Sequence, residues 1–163
     1  MMPLARKALI AELYTDGSCH TQYRIGTWVA LVFIDKEKKV LSGTEIKTNH
    51  NRMELTAVIK GLEYLKMYNK SIKWIKIFTD SQYIMGLPSR KDKLASLDFT
   101  TKTGKKIQNA DLVISLLENL KPFQVEWCKV RAHQKKKEVI NYNIEADILC
   151  RKIMRDLVKS QLV

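Results

Sequence analysis

Three apolar runs follow one another near the start of the chain with only short polar links between them. "ALIAELYT" (8–15), "GTWVALVFID" (26–35) and the more alternating "KVLSGTEIK" (39–47) each have the length and composition of a strand. The link "KEKK" is of hairpin length, so the three predict an antiparallel meander. The next segments break that rhythm. "NRMELTAVIKGLEYLKMY" (51–68) repeats Leu55, Val58, Ile59, Leu62 and Leu65 at helical spacing. "IKWIKIFTD" (72–80) then alternates Ile75, Ile77 and Thr79 with Trp74, Lys76 and Phe78, as a strand does. Strand, helix, strand requires a crossover, which pairs this fourth strand parallel to an earlier one.

The remaining chain completes an α/β domain. "SQYIMGL" is a short helix stopped at Pro88, and 88–108 is basic and turn-rich. "NADLVISLLENL" (109–120) is helical with Leu112, Leu116 and Leu117 inward. "FQVEWCKV" (123–130) is a fifth strand, "RAHQKKKEVINYN" (131–143) a loop, and "IEADILCRKIMRDLVKS" (144–160) a final helix. No Gly/Ser linker or internal repeat divides the chain, so one domain over residues 1–163 is expected, and 45% hydrophobic composition suits one core. No apolar run approaches a membrane span, and Glu12 interrupts the first one, so the start reads as a strand rather than a leader. Cys19, Cys128 and Cys150 form no C-x-x-C pair, which points away from a disulfide framework or zinc knuckle and toward a reducing, cytoplasmic setting.

Basic residues outnumber acidic ones 29 to 17, a net charge of +12. Such a surface attracts polyanions, nucleic acid above all. Against that background the positions of four acids stand out. Asp16 ends the first strand, Asp80 ends the fourth, and Glu54 and Asp147 fall in the first turns of the first long helix and the last helix. Each has an ordinary explanation. Asp16 in "DGS" could open a turn, and Asn51 could cap its helix with Glu54 reaching back. Asp80 could cap the helix that follows, and Asp147 could sit at the positive end of its own. Taken together they predict four carboxylates near one sheet edge, if strands one and four are parallel neighbours. Like charges so grouped repel unless a cation neutralises them. A donor set of hard oxygens favours Mg²⁺ or Mn²⁺, and two such ions ~3.5–4 Å apart are suited to phosphodiester chemistry.

These residues resemble type 1 ribonuclease H. The resemblance is carried by "YTDGS" (14–18), "NRMEL" (51–55), "FTDSQY" (78–83), "VEWCKVRAH" (125–133) and "NIEAD" (143–147), in that order, and covers about residues 9–155. It implies an RNase H-like fold, a five-stranded mixed sheet of three antiparallel strands and then parallel strands, flanked by helices. It implies an endonuclease that cuts the RNA strand of RNA–DNA hybrids with two Mg²⁺ ions, Mn²⁺ substituting, leaving 5′-phosphate and 3′-hydroxyl ends. Asp16, Glu54, Asp80 and Asp147 would be the metal ligands. His133 would assist proton transfer or product release. Gly17, Cys19, Asn51 and Gln82 match residues that meet the hybrid's minor groove, where the 2′-hydroxyl distinguishes RNA. Lys102, Lys105 and Lys106 would contact phosphate from the basic segment. The chain is expected to act as a monomer without a membrane.

The sequence departs from the family pattern in places. "HTQYRIGT" replaces a Gly/Pro-rich turn after "DGSC", Asn49 stands where a phosphate-gripping threonine is common, and the basic segment lacks tryptophans. Two other readings share the fold: a DNA-acting nuclease and a non-catalytic nucleic-acid-binding module. An exonuclease pattern wants an acid two residues after Asp16, where this chain has Ser18, and binding modules typically lose one of the acids.

Overall fold

The computed structural model describes residues 9–130 and 142–161. A five-stranded sheet has the order β3-β2-β1-β4-β5. Its strands are β1 (Ile10–His20), β2 (Ile25–Ile34), β3 (Glu37–Glu45), β4 (Trp74–Thr79) and β5 (Gln124–Lys129). β1 pairs antiparallel with β2, β2 antiparallel with β3, and β1–β4 and β4–β5 are parallel. The mixed sheet expected from the crossover is therefore present. Helices α1 (His50–Tyr68), α2 (Gln82–Gly86), α3 (Lys91–Ser96), α4 (Ala110–Leu120) and α5 (Tyr142–Gln161) complete the fold.

Strand alternation divides the side chains of β1 between two cores. Ala11 and Leu13 face α1, with Ala30, Val32, Ile75 and Ile77 from neighbouring strands and Leu55, Val58, Leu62 and Leu65 from the helix. Tyr14 faces the opposite side, with Val29 and Leu31, against Ala146 and Cys150 of α5. Each of the five predicted apolar positions of α1 is buried. Val113, Leu116 and Leu117 of α4 are buried, and Leu112 packs beside them partly exposed.

Several local expectations are corrected. β1 does not stop at Thr15; it runs on to His20, paired there with β2 alone. Asp16 thus lies within the strand, two residues past the last β1–β4 pair, Tyr14 with Phe78. The β2–β3 hairpin turns on Asp35 and Lys36, Asp35 adopting φ 56°, so all of "KEKK" but its first lysine already belongs to β3. α1 is capped by Asn49, not Asn51: the Asn49 side chain accepts from the Arg52 backbone N–H at 2.9 Å. α2 is capped by Ser81, not Asp80, through the Ile84 N–H. The basic, turn-rich segment from Pro88 opens with a 3-10 turn over Pro88–Arg90 that leads into α3, a short helix the sequence reading did not include. α5 begins at Tyr142, which puts Asp147 in its second turn rather than its first.

Candidate metal centre

Backbone geometry assembles the acids from distant stretches of chain. Asp16 and Asp80 each lie two residues past the same parallel pair, so the register of β1 and β4 brings them to one sheet edge. Because Ser81 does the capping, the Asp80 carboxylate is left for other work. Glu54 comes from α1, whose first turns lie against Gly17, the residue after Asp16. Carboxylate oxygens of Asp16, Glu54 and Asp80 all lie within 4.8 Å of one another.

The electrostatics follow from crowding. Burial, then the nearby charges of Asp147, Asp80 and Glu54, push the Asp16 carboxyl up to about 7. Burial and the Glu54 charge raise Asp80 as well. A set of hard oxygens this close, with its central member held reluctant to ionise, fits a divalent cation, whose charge would reverse that penalty.

Asp147 stands close enough to raise Asp16 but outside the three-acid group. Its Oδ1 accepts from Arg151 Nε at 3.1 Å, one helical turn away. His50 was not anticipated. Its Nε2 lies 2.8 Å from Glu54 Oε1, and this hydrogen bond holds the imidazole above its usual pKa. The i, i+4 spacing of His50 and Glu54 on a helix was the available signal.

Cys19, Asn51 and Gln82 lie on or beside the elements that carry Asp16, Glu54 and Asp80. Cys19, half-buried, directs its thiol to the Thr48 carbonyl at 3.5 Å. Asn51 is half-buried on the first turn of α1, and Gln82 is exposed at the start of α2. Lys102, Lys105 and Lys106 are exposed, Lys106 donating to the Asp98 carbonyl at 3.3 Å. Asn49 donates to Asn109 Oδ1 at 3.3 Å, and Arg52 makes a bidentate pair with Asp111, both bonds 2.9 Å, so the starts of α1 and α4 are clasped together. His133 lies outside the described residues.

The sequence pattern of the RNase H family matches residues 9–155. The chain belongs to the ribonuclease H family. It is 32% identical over 155 residues to a ribonuclease H of Caldanaerobacter subterraneus, covering 94% of both chains. It is 34% identical over 154 residues to a ribonuclease H of Wolbachia pipientis, covering 94% of this chain and 99% of that one. Among solved structures, LC9-RNase H1, a type 1 RNase H with the type 2 active-site motif, superposes with a TM-score of 0.74 at 23% identity, over 89% of this chain and 72% of that one. That likeness establishes the ribonuclease H fold. Among the described residues no helix is long and apolar enough to cross a membrane.

Proposed function

We propose that this ribonuclease H hydrolyses the RNA strand of RNA–DNA hybrids as an endonuclease, using two Mg²⁺ ions held by Asp16, Glu54, Asp80 and Asp147, with Mn²⁺ able to substitute. The observation that carries the reading is the three-carboxylate group of Asp16, Glu54 and Asp80, gathered within 4.8 Å on a chain of net charge +12. A surface otherwise so basic would not concentrate acids there without a cation to neutralise them. When bound, the metal supplies charge for activating water and stabilising the departing 3′ oxygen, which yields 5′-phosphate and 3′-hydroxyl ends.

The chain's own residues prepare the site. Asp16 is half-buried, and Glu54, Asp80 and Asp147 all raise its carboxyl. Glu54 is nearly fully buried and hydrogen-bonded by His50, which partly neutralises its carboxylate until a cation does so. Asp80 is exposed, which leaves its carboxylate open to a nucleic acid backbone. Gly17, Cys19, Asn51 and Gln82 are assigned to the minor groove of the hybrid, where 2′-hydroxyls are displayed. Lys105 and Lys106 are assigned to phosphate, and His133 to proton transfer or product release. The enzyme is taken to act as a cytoplasmic monomer.

The test is incubation with a labelled RNA–DNA hybrid and Mg²⁺ beside an EDTA control. Cleavage of the RNA strand only with metal supports the reading. An intact RNA strand, or equal cutting in EDTA, defeats it. Cutting of a labelled DNA strand would redirect it to DNA chemistry.

A further inference from the structure

Asp147 depends on a different placement from the other acids. Asp16, Asp80 and Glu54 are set by the β1–β4 register and by the backbone contact of β1 with α1. Asp147 goes wherever α5 is laid on the sheet. Beyond the apolar packing of Ala146, Leu149 and Ile153 against β1 and β2, two sets of specific contacts hold α5 on either side of this residue.

Three residues after Asp147, Cys150 is fully buried against β2. The Thr27 hydroxyl donates to the Cys150 carbonyl at 3.2 Å, and its oxygen lies 2.9 Å from the thiol sulfur. Burial pushes that thiol up to about 12, so it remains a neutral hydrogen-bonding group.

Five residues before Asp147, Tyr142 packs its ring on Phe33 at 4.3 Å between centroids and edge-on to Tyr14 at 5.2 Å. Tyr14 is itself stacked on Phe78 at 4.3 Å, and its hydroxyl donates to Glu12 at 2.9 Å. The Lys38 ammonium of β3 pairs with Glu145, two residues before Asp147. It also stands 5.9 Å from the Phe33 ring and 5.8 Å from the Tyr142 ring. One cation from the meander thus touches a carboxylate and a ring of the first turn of α5. The Lys38–Glu145 pair is partly exposed and weak alone, so within this contact the rings contribute more than the ion pair.

We propose that Tyr142, Glu145 and Lys38 form a positioning anchor for Asp147, setting the height and rotation of the first two turns of α5 and thereby the affinity of the acid group for a divalent cation. The three stand outside the three-acid group and act through the helix; they are positioning residues. A helix rises 1.5 Å per residue, so a frayed or shifted first turn moves Asp147 by more than a ligand bond tolerates. The inference rests on the reading of Asp147 as a metal ligand.

The test is isothermal titration of the full chain with Mg²⁺ or Mn²⁺, without nucleic acid, at a temperature where each variant is folded. Tyr142→Ala is expected to weaken cation binding about fivefold, and Tyr142→Phe, which keeps the ring, to restore it to within about twofold. Lys38→Glu should weaken binding, and adding Glu145→Lys should recover it. A Tyr142→Ala protein that melts earlier but binds the cation as well as the parent would show a merely structural contact and overturn the proposal. If Tyr142→Ala does not fold, failure of the charge exchange to recover affinity overturns it instead. Asp147→Asn separates the two readings. If that change leaves cation affinity untouched, Asp147 is not a ligand and both readings fall. If it weakens binding while the anchor variants do not, only the anchor falls.

Discussion

A side-chain carbon placed on Gly17 would stand 2.5 Å from the backbone nitrogen of Glu54. β1 and α1 therefore touch backbone to backbone, and this contact brings Asp16 and Glu54 into one group. The alternation of β1 explains why the empty side of Gly17 faces the helix while Asp16 points to the other face, toward α5. Gly17→Ala is expected to push α1 off the strand. It should cost about 1–3 kcal/mol, a loss of several degrees in Tm, and weaken cation binding at the same time. A thermal melt with and without Mg²⁺ reads both. An alanine variant as stable and as responsive to Mg²⁺ as the parent would mean that the close approach is not limiting.

Asp16→Asn should abolish cleavage while leaving the fold intact. A neutral amide cannot offset cation charge, and losing several kcal/mol of that interaction lowers the rate by about a thousandfold or more. Removing a buried charge from a repelling group should also leave the metal-free protein at least as stable. Hybrid cleavage and thermal melting in EDTA check the two halves. Cleavage at near-parental rate would remove Asp16 from the centre.

The stability of the metal-free protein should fall as pH rises. Asp16 titrates at about 7 in the folded protein and near 3.8 when exposed, so the native state binds the proton more tightly than the unfolded chain. Its contribution is fully present below the unfolded value and is lost as pH rises through about 7. Asp80 and His50, both raised, act in the same sense. The lowered acids Asp111 and Glu118 act oppositely, but below that window. In EDTA, Tm should therefore decline between about pH 5 and 7.5, and Mg²⁺ should remove the decline because it binds the ionised acids. A Tm that is flat or rising in EDTA contradicts this account.

His50→Ala should lower the Tm of the metal-free protein, because it leaves Glu54 buried with one partner fewer. It should also enlarge the rise in Tm on adding Mg²⁺, since the cation then replaces the missing neutralisation instead of sharing Glu54 with the imidazole. Equal increments in parent and variant would show that His50 and the cation do not compete for that carboxylate.

Much of the architecture could be read from periodicity. The apolar face of α1 and the alternation of β4 were evident, because a buried face repeats at the spacing of its element. Element ends were harder to place. Asn49, His50 and Asn51 stand in a row, and Asp80 precedes Ser81, so each helix had rival capping residues. Asn49 is extended at φ −138° and ψ 170°, and that backbone conformation makes it the cap. The continuation of β1 to His20 had no apolar signal, because it is paired on one side only, with β2. His50 appeared only as one histidine among three until the helix turned it onto Glu54.

The order of residues along the chain decides which side chains can lie inward, which acids exist and how strongly the surface attracts a polyanion, since these depend on local spacing and summed charge. It does not decide that Asp16, Glu54 and Asp80 meet while Asp147 waits beside Arg151. That depends on the β1–β4 register, the contact at Gly17 and the seating of α5 on Phe33 and Thr27. Each joins segments tens of residues apart, and such distances are set only when the whole core has packed.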